Sequence, residues 1–399
     1  MAKKILFYCQ YLTGMGHLVR STEIVRHLVK RFEVCFINGG PAIPGFEMPP
    51  EVELVTLPPL WIENGELQVT EGFDNLEEVK ESRREQLINL CDRFQPDCLI
   101  TEFFPFGRHK LFFELIPLLE HLKSAHPKTK IVCSLRDIVG RTDLNLEEEK
   151  ICQLTSQYFD LILFHSDYQF QKLEESFSRV QELKCEVKYT GFVAQSIAEN
   201  NILTASDLAN LNRKEPKILV SVGGGRLGYE LLEAAIAASS IIGDLLPHHI
   251  QIFTGPFMLE NQFLTLQQAA LNRSNVTLQR YTANLIAYMQ KAELSISLTG
   301  YNTTMNILRT GVRSLVVPIG HYDNDKEQLV RTNKLEKLGI VEVIDPSELT
   351  PENLAQRIIS CLSQSARQQN STLFDLQGAE KTVLFLQELL RSQQYKILV

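Results

Sequence analysis

The chain has 399 residues, 44% of them hydrophobic and 22% charged, with a formal net charge of −8. That length suits two domains better than one, and the composition is that of an ordinary globular protein. The acidic balance excludes a general nucleic-acid binder, which presents a basic face, yet leaves phosphate ligands open because helix N-termini bind them without net positive charge. In chain order, strands are expected over 4–10, 32–37, 52–57, 97–101, 130–135, 160–164 and 186–189. Helices alternate with them over 16–31, 76–94, 110–125, 147–159 and 170–183. Residues 194–216 carry no strong strand pattern and read as an interdomain connection.

The alternation then restarts. Strands are expected over 217–222, 250–254, 276–280, 294–299, 314–318 and 340–344, and helices over 229–239, 284–291, from 302 onward, over 351–362 and over 378–391. Each half therefore reads as a parallel sheet with helices on both faces. The expected division is an N-terminal Rossmann-like domain over 1–195, a linker over 196–216, a second Rossmann-like domain over 217–375, and a terminal helix over 376–399 packing back on the first domain. Eight scattered cysteines with no Cys-x-x-Cys pair are expected to be buried thiols rather than a metal or disulfide framework. The run Ile5-Leu6-Phe7-Tyr8 is too short for a signal peptide, and no later run is long enough for a bilayer span, so the expected location is the cytoplasm.

Chemistry is expected at the strand-to-helix turns, where ligands bind in open α/β sheets. Gly223-Gly224-Gly225-Arg226-Leu227-Gly228 follows an apolar strand and opens a helix. Glycines there let the backbone approach a phosphate, and free N–H groups of the helix start favour an anion. Gly255 ends the next strand. Gly300 to Thr304, with Asn302 and Thr303, either caps a helix with Asn and Thr side chains or holds a diphosphate with its free N–H groups. The following turn offers His321, Glu327 and Gln328, side chains suited to sugar hydroxyls. Asp323-Asn324-Asp325 has the form of a metal-binding pair but sits where helix caps are common, so no metal site is assigned.

In the first half, Gly14, Gly16 and His17 stand where the first strand meets its helix. His17 is a candidate base, since histidine titrates near neutrality. Arg20 follows one turn later, either on a ligand phosphate or paired with an acid. Glu102 and Arg108 flank the turn after strand 97–101, and Arg136 and Asp137 that after strand 130–135. Asp137 is a second candidate base or a partner orienting His17; an Arg–Asp pair bracing the loop is the alternative. Phe103, Phe104 and Phe106, with Leu60-Trp61-Ile62, either line an acceptor site, touch lipid or belong to the core.

These motifs resemble a family. Gly14-Met15-Gly16-His17, Tyr189-Thr190-Gly191, the glycine loop at 223–228 and Thr299-Gly300…Val317-Pro318…His321…Glu327-Gln328…Asn333 look like the MurG-related glycosyltransferases. Phe-Pro-Phe-Gly-Arg at 104–108, Leu-Arg-Asp-Ile at 135–138 and Gly-Tyr-Asn-Thr at 300–303 are similar to a bacterial group called only "predicted glycosyltransferase". The resemblance implies a GT-B fold, two Rossmann-like domains facing across a cleft, and inverting transfer from a nucleoside-diphosphate sugar, a UDP-sugar first, with no metal and no cofactor. The acceptor would be a small molecule, a lipid-linked compound or a glycan, with membrane contact at most peripheral. Two departures stand out: Asn306 replaces the glutamate that holds the ribose in MurG, and the loop before Glu327 is about two residues longer. Residues 13–20 also resemble the opening of nucleotide-sugar hydrolases of the pseudaminate pathway, which implies water as an alternative acceptor; a non-catalytic nucleotide-sugar binder is the third reading.

Overall fold

The computed structural model describes residues 2–12, 14–63, 65–69, 75–140, 144–197, 203–318, 327–364 and 373–395. The first part of the chain runs β1 (Lys4–Cys9), α1 (Gly16–Leu28), β2 (Glu33–Asn38), β3 (Glu53–Thr56), β4 (Leu60–Glu63), β5 (Glu66–Val69), α2 (Leu76–Phe94), β6 (Cys98–Glu102), α3 (Phe112–Ala125), β7 (Lys130–Arg136), α4 (Leu144–Tyr158), β8 (Leu161–His165) and β9 (Glu186–Tyr189). It continues with α5 (Ala205–Leu211), β10 (Lys217–Ser221), α6 (Tyr229–Gly243), β11 (His249–Phe253), α7 (Glu260–Ala270), β12 (Val276–Gln279), α8 (Leu285–Lys291), β13 (Leu294–Leu298) and α9 (Tyr301–Thr310). Last come β14 (Ser314–Val317), α10 (Glu327–Lys337), β15 (Glu342–Val343), α11 (Pro351–Ser363) and α12 (Gly378–Tyr395).

Ile5, Leu6, Phe7, Tyr8 and Cys9 are all fully buried, because a central parallel strand is covered on both faces. The first sheet has the order β3-β2-β1-β6-β7-β8-β9 and the second β12-β11-β10-β13-β14-β15, every pair within them parallel. Strand order reverses between β1 and β6 in the first sheet and between β10 and β13 in the second. The chain divides into two compact units, residues 1–42, 47–194 and 374–399, and residues 43–46 with 195–373. Each is a Rossmann-like α/β unit.

The first unit includes the last helix. Ala379, Thr382, Val383, Leu386 and Leu390 lie on one face of α12 and are buried, the i, i+3, i+4 and i+7 spacing of an amphipathic helix. That face packs on α1, and Nε2 of His27 lies 3.2 Å from Glu380. With the sheet on one side and α12 on the other, α1 buries residues nearly all round, from Leu18 through Arg20–Val25 to Leu28.

Three local expectations differ from what forms. Residues 170–183 are not an α-helix but two short 3₁₀ turns, Leu173–Glu175 and Val180–Glu182. The Ser178 N–H, which a helix would turn to a carbonyl four residues back, donates with its hydroxyl to Glu148, and Ser176 Oγ accepts from the Val139 N–H at 3.1 Å. Part of the expected connection over 196–216 is α5, capped by Thr204 and tied into the second unit. There Asp207 accepts from the Tyr288 hydroxyl at 2.9 Å and from Asn284 at 3.1 Å. Helix α7 and the β4–β5 hairpin are additional elements; Trp61 sits in that hairpin. Seven cysteines are buried and Cys185 is half-buried, all as free thiols. Among the described residues no helix is long and apolar enough to cross a membrane.

Candidate active site

At the β1–β6 reversal of the first sheet, the turn carrying Gly14, Gly16 and His17 meets the one that begins at Glu102. Nδ1 of His17 lies 2.5 Å from Oε1 of Glu102. Arg20, one helical turn further on, donates to the same oxygen, and Arg108 donates to Oε2 at 3.3 Å. Glu102 is fully enclosed, a position where a charge needs partners. Burial alone would push its carboxyl up, but His17, Arg20 and Arg108 outweigh burial and hold it well below the usual range. Burial pushes His17 down to about 3, with Arg108 and Arg136 adding to the effect against the pull of Glu102. The ring is therefore neutral near pH 7. Its Nδ1–H donates to the carboxylate, which leaves the Nε2 lone pair with no hydrogen-bond partner among the described residues. The side chain keeps 16% of its surface exposed, enough for a ligand to reach it.

Phe103 holds these groups together. Its φ of 65° is left-handed, and its N–H donates to Ser134 O at 2.9 Å. The ring lies 5.6 Å from His17, under Arg136 at 4.9 Å and Arg108 at 5.7 Å. A Cβ on Gly107 would come within 2.5 Å of that ring, which explains the glycine. Phe103, Phe104 and Phe106 are all buried, so they serve the core and do not form a lipid-docking patch. Next to them a cavity of about 170 Å³ is lined by Phe106, Arg108, His109, Val139, Ile151 and Phe177, with Glu147 and Glu148 at its polar side.

The carboxylate on His17 is Glu102 and not Asp137, which corrects the orienting role considered for Asp137. Asp137 is fully buried at the end of β7. A group with no motif signal also belongs here. Nε2 of buried His165 lies 2.8 Å from Ser134 Oγ and its Nδ1 2.9 Å from Thr190 Oγ1. Burial, then Arg20, pushes this histidine well below its ordinary value. Its place at the end of β8, in register with Arg136 and two positions beyond the partner of Ser134, was the available clue.

In the second unit the reversal lies between β10 and β13. Gly223, Gly225 and Gly228 after β10 and Gly255 after β11 all have positive φ, from 66° to 94°. A Cβ on Gly225 would stand 2.3 Å from Thr254 O, and one on Gly255 2.4 Å from the Gly224 carbonyl carbon. The two turns thus interlock backbone against backbone, so packing demands these glycines whether or not a ligand is bound. Arg226 is exposed, with its guanidinium 5.4 Å from the Phe257 ring centre.

Helix α9 begins at Gly300, which has no side chain to cap it. The capping alternative therefore falls. Thr304 Oγ1 bonds back to Gly300 O at 3.0 Å, Thr303 is buried inside the first turn, and Asn302 lies half-buried beside it. The α6 start at Gly228 and the α1 start at Met15 also lack side-chain caps, whereas α2, α5 and α11 are capped by Asn75, Thr204 and Thr350. Helices α6 and α9 follow directly on β10 and β13, the two strands at the reversal. Gln328 reaches Thr299, whose hydroxyl donates to its Oε1 at 3.3 Å. Glu327 is buried, 3.8 Å from Arg331, which in turn donates to Thr299 O at 3.1 Å. His321 and Asp323–Asp325 lie outside the described residues. Asn306 is buried, donating to Gln195 Oε1 at 2.7 Å.

Residues 219–383 match the glycosyltransferase family 28 C-terminal domain. The chain thus carries a glycosyltransferase family 28 C-terminal domain within a GT-B fold. No curated protein matches it in sequence. Its fold is similar to that of spinosyn forosaminyltransferase SpnP, with a TM-score of 0.62 and 13% identity over 98% of this chain and 99% of that one. Acinetobacter baumannii MurG gives a TM-score of 0.55 and 15% identity over 97% and 99%. Phytolacca americana UGT2, solved with UDP-2-fluoro-glucose and pterostilbene, gives 0.56 and 15% over 98% and 94%. A family 28 domain implies a nucleotide-sugar donor and an acceptor.

Proposed function

We propose that the protein moves a sugar from a nucleoside-diphosphate sugar, a UDP-sugar first, to an acceptor hydroxyl with inversion and without a metal. The observation that carries this is the neutral His17 ring, oriented by Glu102 and open at Nε2. Nε2 takes the acceptor proton as the oxygen attacks the anomeric carbon, and Glu102 stabilises the imidazolium that forms. The N–H groups at the uncapped starts of α6 and α9 take up charge on the leaving diphosphate, the kind of preorganised stabilisation that usually supplies the largest catalytic contribution. Thr299, Gln328 and the loop with His321 are assigned to the sugar. A UDP-sugar is supported by the donor analogue bound to the UGT2 neighbour. The buried, amide-bonded Asn306 argues that ribose recognition is not that of MurG. The cavity beside Arg108 is assigned to part of the acceptor. The protein is placed in the cytoplasm, with peripheral membrane contact allowed.

The same His17–Glu102 pair would activate water equally well, which favours a nucleotide-sugar hydrolase as the second reading. Incubation with UDP-, GDP- and dTDP-sugars, with and without an acceptor panel, separates them. Nucleotide release only with acceptor supports transfer, release in water supports hydrolysis, and binding without release removes catalysis altogether.

A further inference from the structure

A cluster outside the glycosyl-transfer site has the make-up of a metal centre. Asp92, on the last turn of α2, His121, on α3, and His126, immediately after α3, bring their ligating atoms within 4.8 Å of one another. Nε2 of His121 lies 2.7 Å, and Nε2 of His126 2.9 Å, from the same oxygen, Asp92 Oδ1. The two rings stand edge to face with centroids 5.7 Å apart. Oδ2 of Asp92 has no partner among the described residues. The turn holding His126 is fixed by its own N–H on Leu122 O at 3.0 Å and by the Thr129 N–H on its carbonyl at 2.9 Å.

We propose that these three residues form a binding site for one divalent transition-metal ion, Zn²⁺ in the first instance. Two imidazoles and one carboxylate are a ligand set that zinc accepts, with water completing a tetrahedron. Around such an ion, with bonds of about 2.1 Å, ligand atoms stand roughly 3.4 Å apart. The observed spacing needs each ring to stand only about 0.5–0.7 Å further from Asp92, which the half-exposed Asp92 side chain allows. Imidazole and carboxylate also accept copper and nickel, so selectivity rests on supply and geometry. The cluster lies at the carboxyl ends of α2 and α3, where the chain returns to the starts of β6 and β7. His17 and Glu102 are at the opposite edge of that sheet, so the ion ties two helices together and takes no part in sugar transfer.

The test uses the full, untagged chain freed of metal with a chelator. Titration calorimetry with ZnCl₂ is expected to show one equivalent bound by the wild type and at least a tenfold loss of affinity in His121→Gln/His126→Gln and in Asp92→Asn. Zn²⁺ is expected to raise the unfolding temperature of the wild type and not of the double variant. Co²⁺ in place of Zn²⁺ is expected to give visible d–d bands without the thiolate charge-transfer band that a cysteine site would show. No saturable binding to the wild type, equal binding by the double variant, or a thiolate band would each overturn the proposal. Near-unchanged melting of the metal-free variants shows that they fold, and the three substitutions sit on the surface where that is expected.

Discussion

Oε1 of Glu102 and Nδ1 of His17 are 2.5 Å apart although 85 positions separate the residues in sequence. A carboxylate in that place fixes the imidazole tautomer, so the base function belongs to the pair. Glu102→Gln can present its amide N–H to Nδ1 and turn the ring to the wrong tautomer. Turnover is expected to fall by about 10²–10⁴ with donor affinity within a fewfold of wild type. The same change leaves Arg20 and Arg108 facing a neutral amide in a buried setting, and urea unfolding should show a loss of about 3–5 kcal/mol. A variant with normal turnover would detach Glu102 from the chemistry.

His17→Ala is expected to lower turnover about a hundredfold or more while donor binding, measured by calorimetry with a UDP-sugar, stays nearly unchanged. If turnover is unaffected, the base must be sought elsewhere, and Asp137 is then the residue to change next.

The depressed His17 value has a definite sign in stability. Between its folded value of about 3 and the ordinary 6.5, the unfolded chain binds a proton at this residue that the native chain does not. Native stability is thus whole above pH 6.5 and falls as pH drops toward 3, by up to about 1.4 kcal/mol per pH unit from this group. Between pH 6.5 and 5 the wild type should lose about 1.6 kcal/mol more than His17→Gln in urea unfolding. His165 and His249 act in the same direction in both proteins and cancel in the comparison. For the same reason kcat/KM should show no protonation limb near pH 6.5.

Two glycines of the second unit should answer oppositely to alanine. At Gly255 the backbone is left-handed and a Cβ meets the Gly224–Gly225 peptide at 2.4 Å, so Gly255→Ala should cost about 2–3 kcal/mol or more. At Gly300 φ is −61° and nothing lies within 4 Å of the added carbon. Gly300→Ala should therefore melt at or slightly above the wild type, by about 0.4–1 kcal/mol. If a diphosphate approaches the α9 start closely, that stable variant should nevertheless bind donor several-fold more weakly; unchanged binding would move the diphosphate away from Gly300.

Much of the first sheet could be read from runs such as Ile5–Cys9, because full burial makes a strand continuous in apolar residues. Helix 76–94 was legible end to end, since Asn75 caps it and Gln95 stops it in a left-handed conformation. What could not be read depends on contacts distant in sequence. The seryl bonds to Val139 and Glu148 that replace a helix over 170–183 are of this kind. So are the choice of Glu102 over Asp137 as the partner of His17 and the burial of His165 between Ser134 and Thr190. The glycines at 223–225 were legible as a turn, but the strict need for glycine at 225 comes from Thr254 and Gly255, about thirty residues on.

The passage of the chain through α12 bears on how the protein is made. The first sheet is complete at Tyr189, yet the helix that covers the outer side of α1 begins only at Gly378. At roughly 5–20 residues per second, synthesis of the intervening stretch takes on the order of ten to forty seconds. During that interval the nascent first unit exposes the α1 surface that α12 will later occupy. The segment 374–378 then docks onto strand-end backbone already in place, through Phe192 N–H on Asp375 O at 2.7 Å and Gly378 N–H on Phe192 O at 2.9 Å. Completion of the first unit thereby waits on synthesis of the whole second unit, and a chain broken off within the second unit carries an open apolar face that marks it for chaperones or proteases.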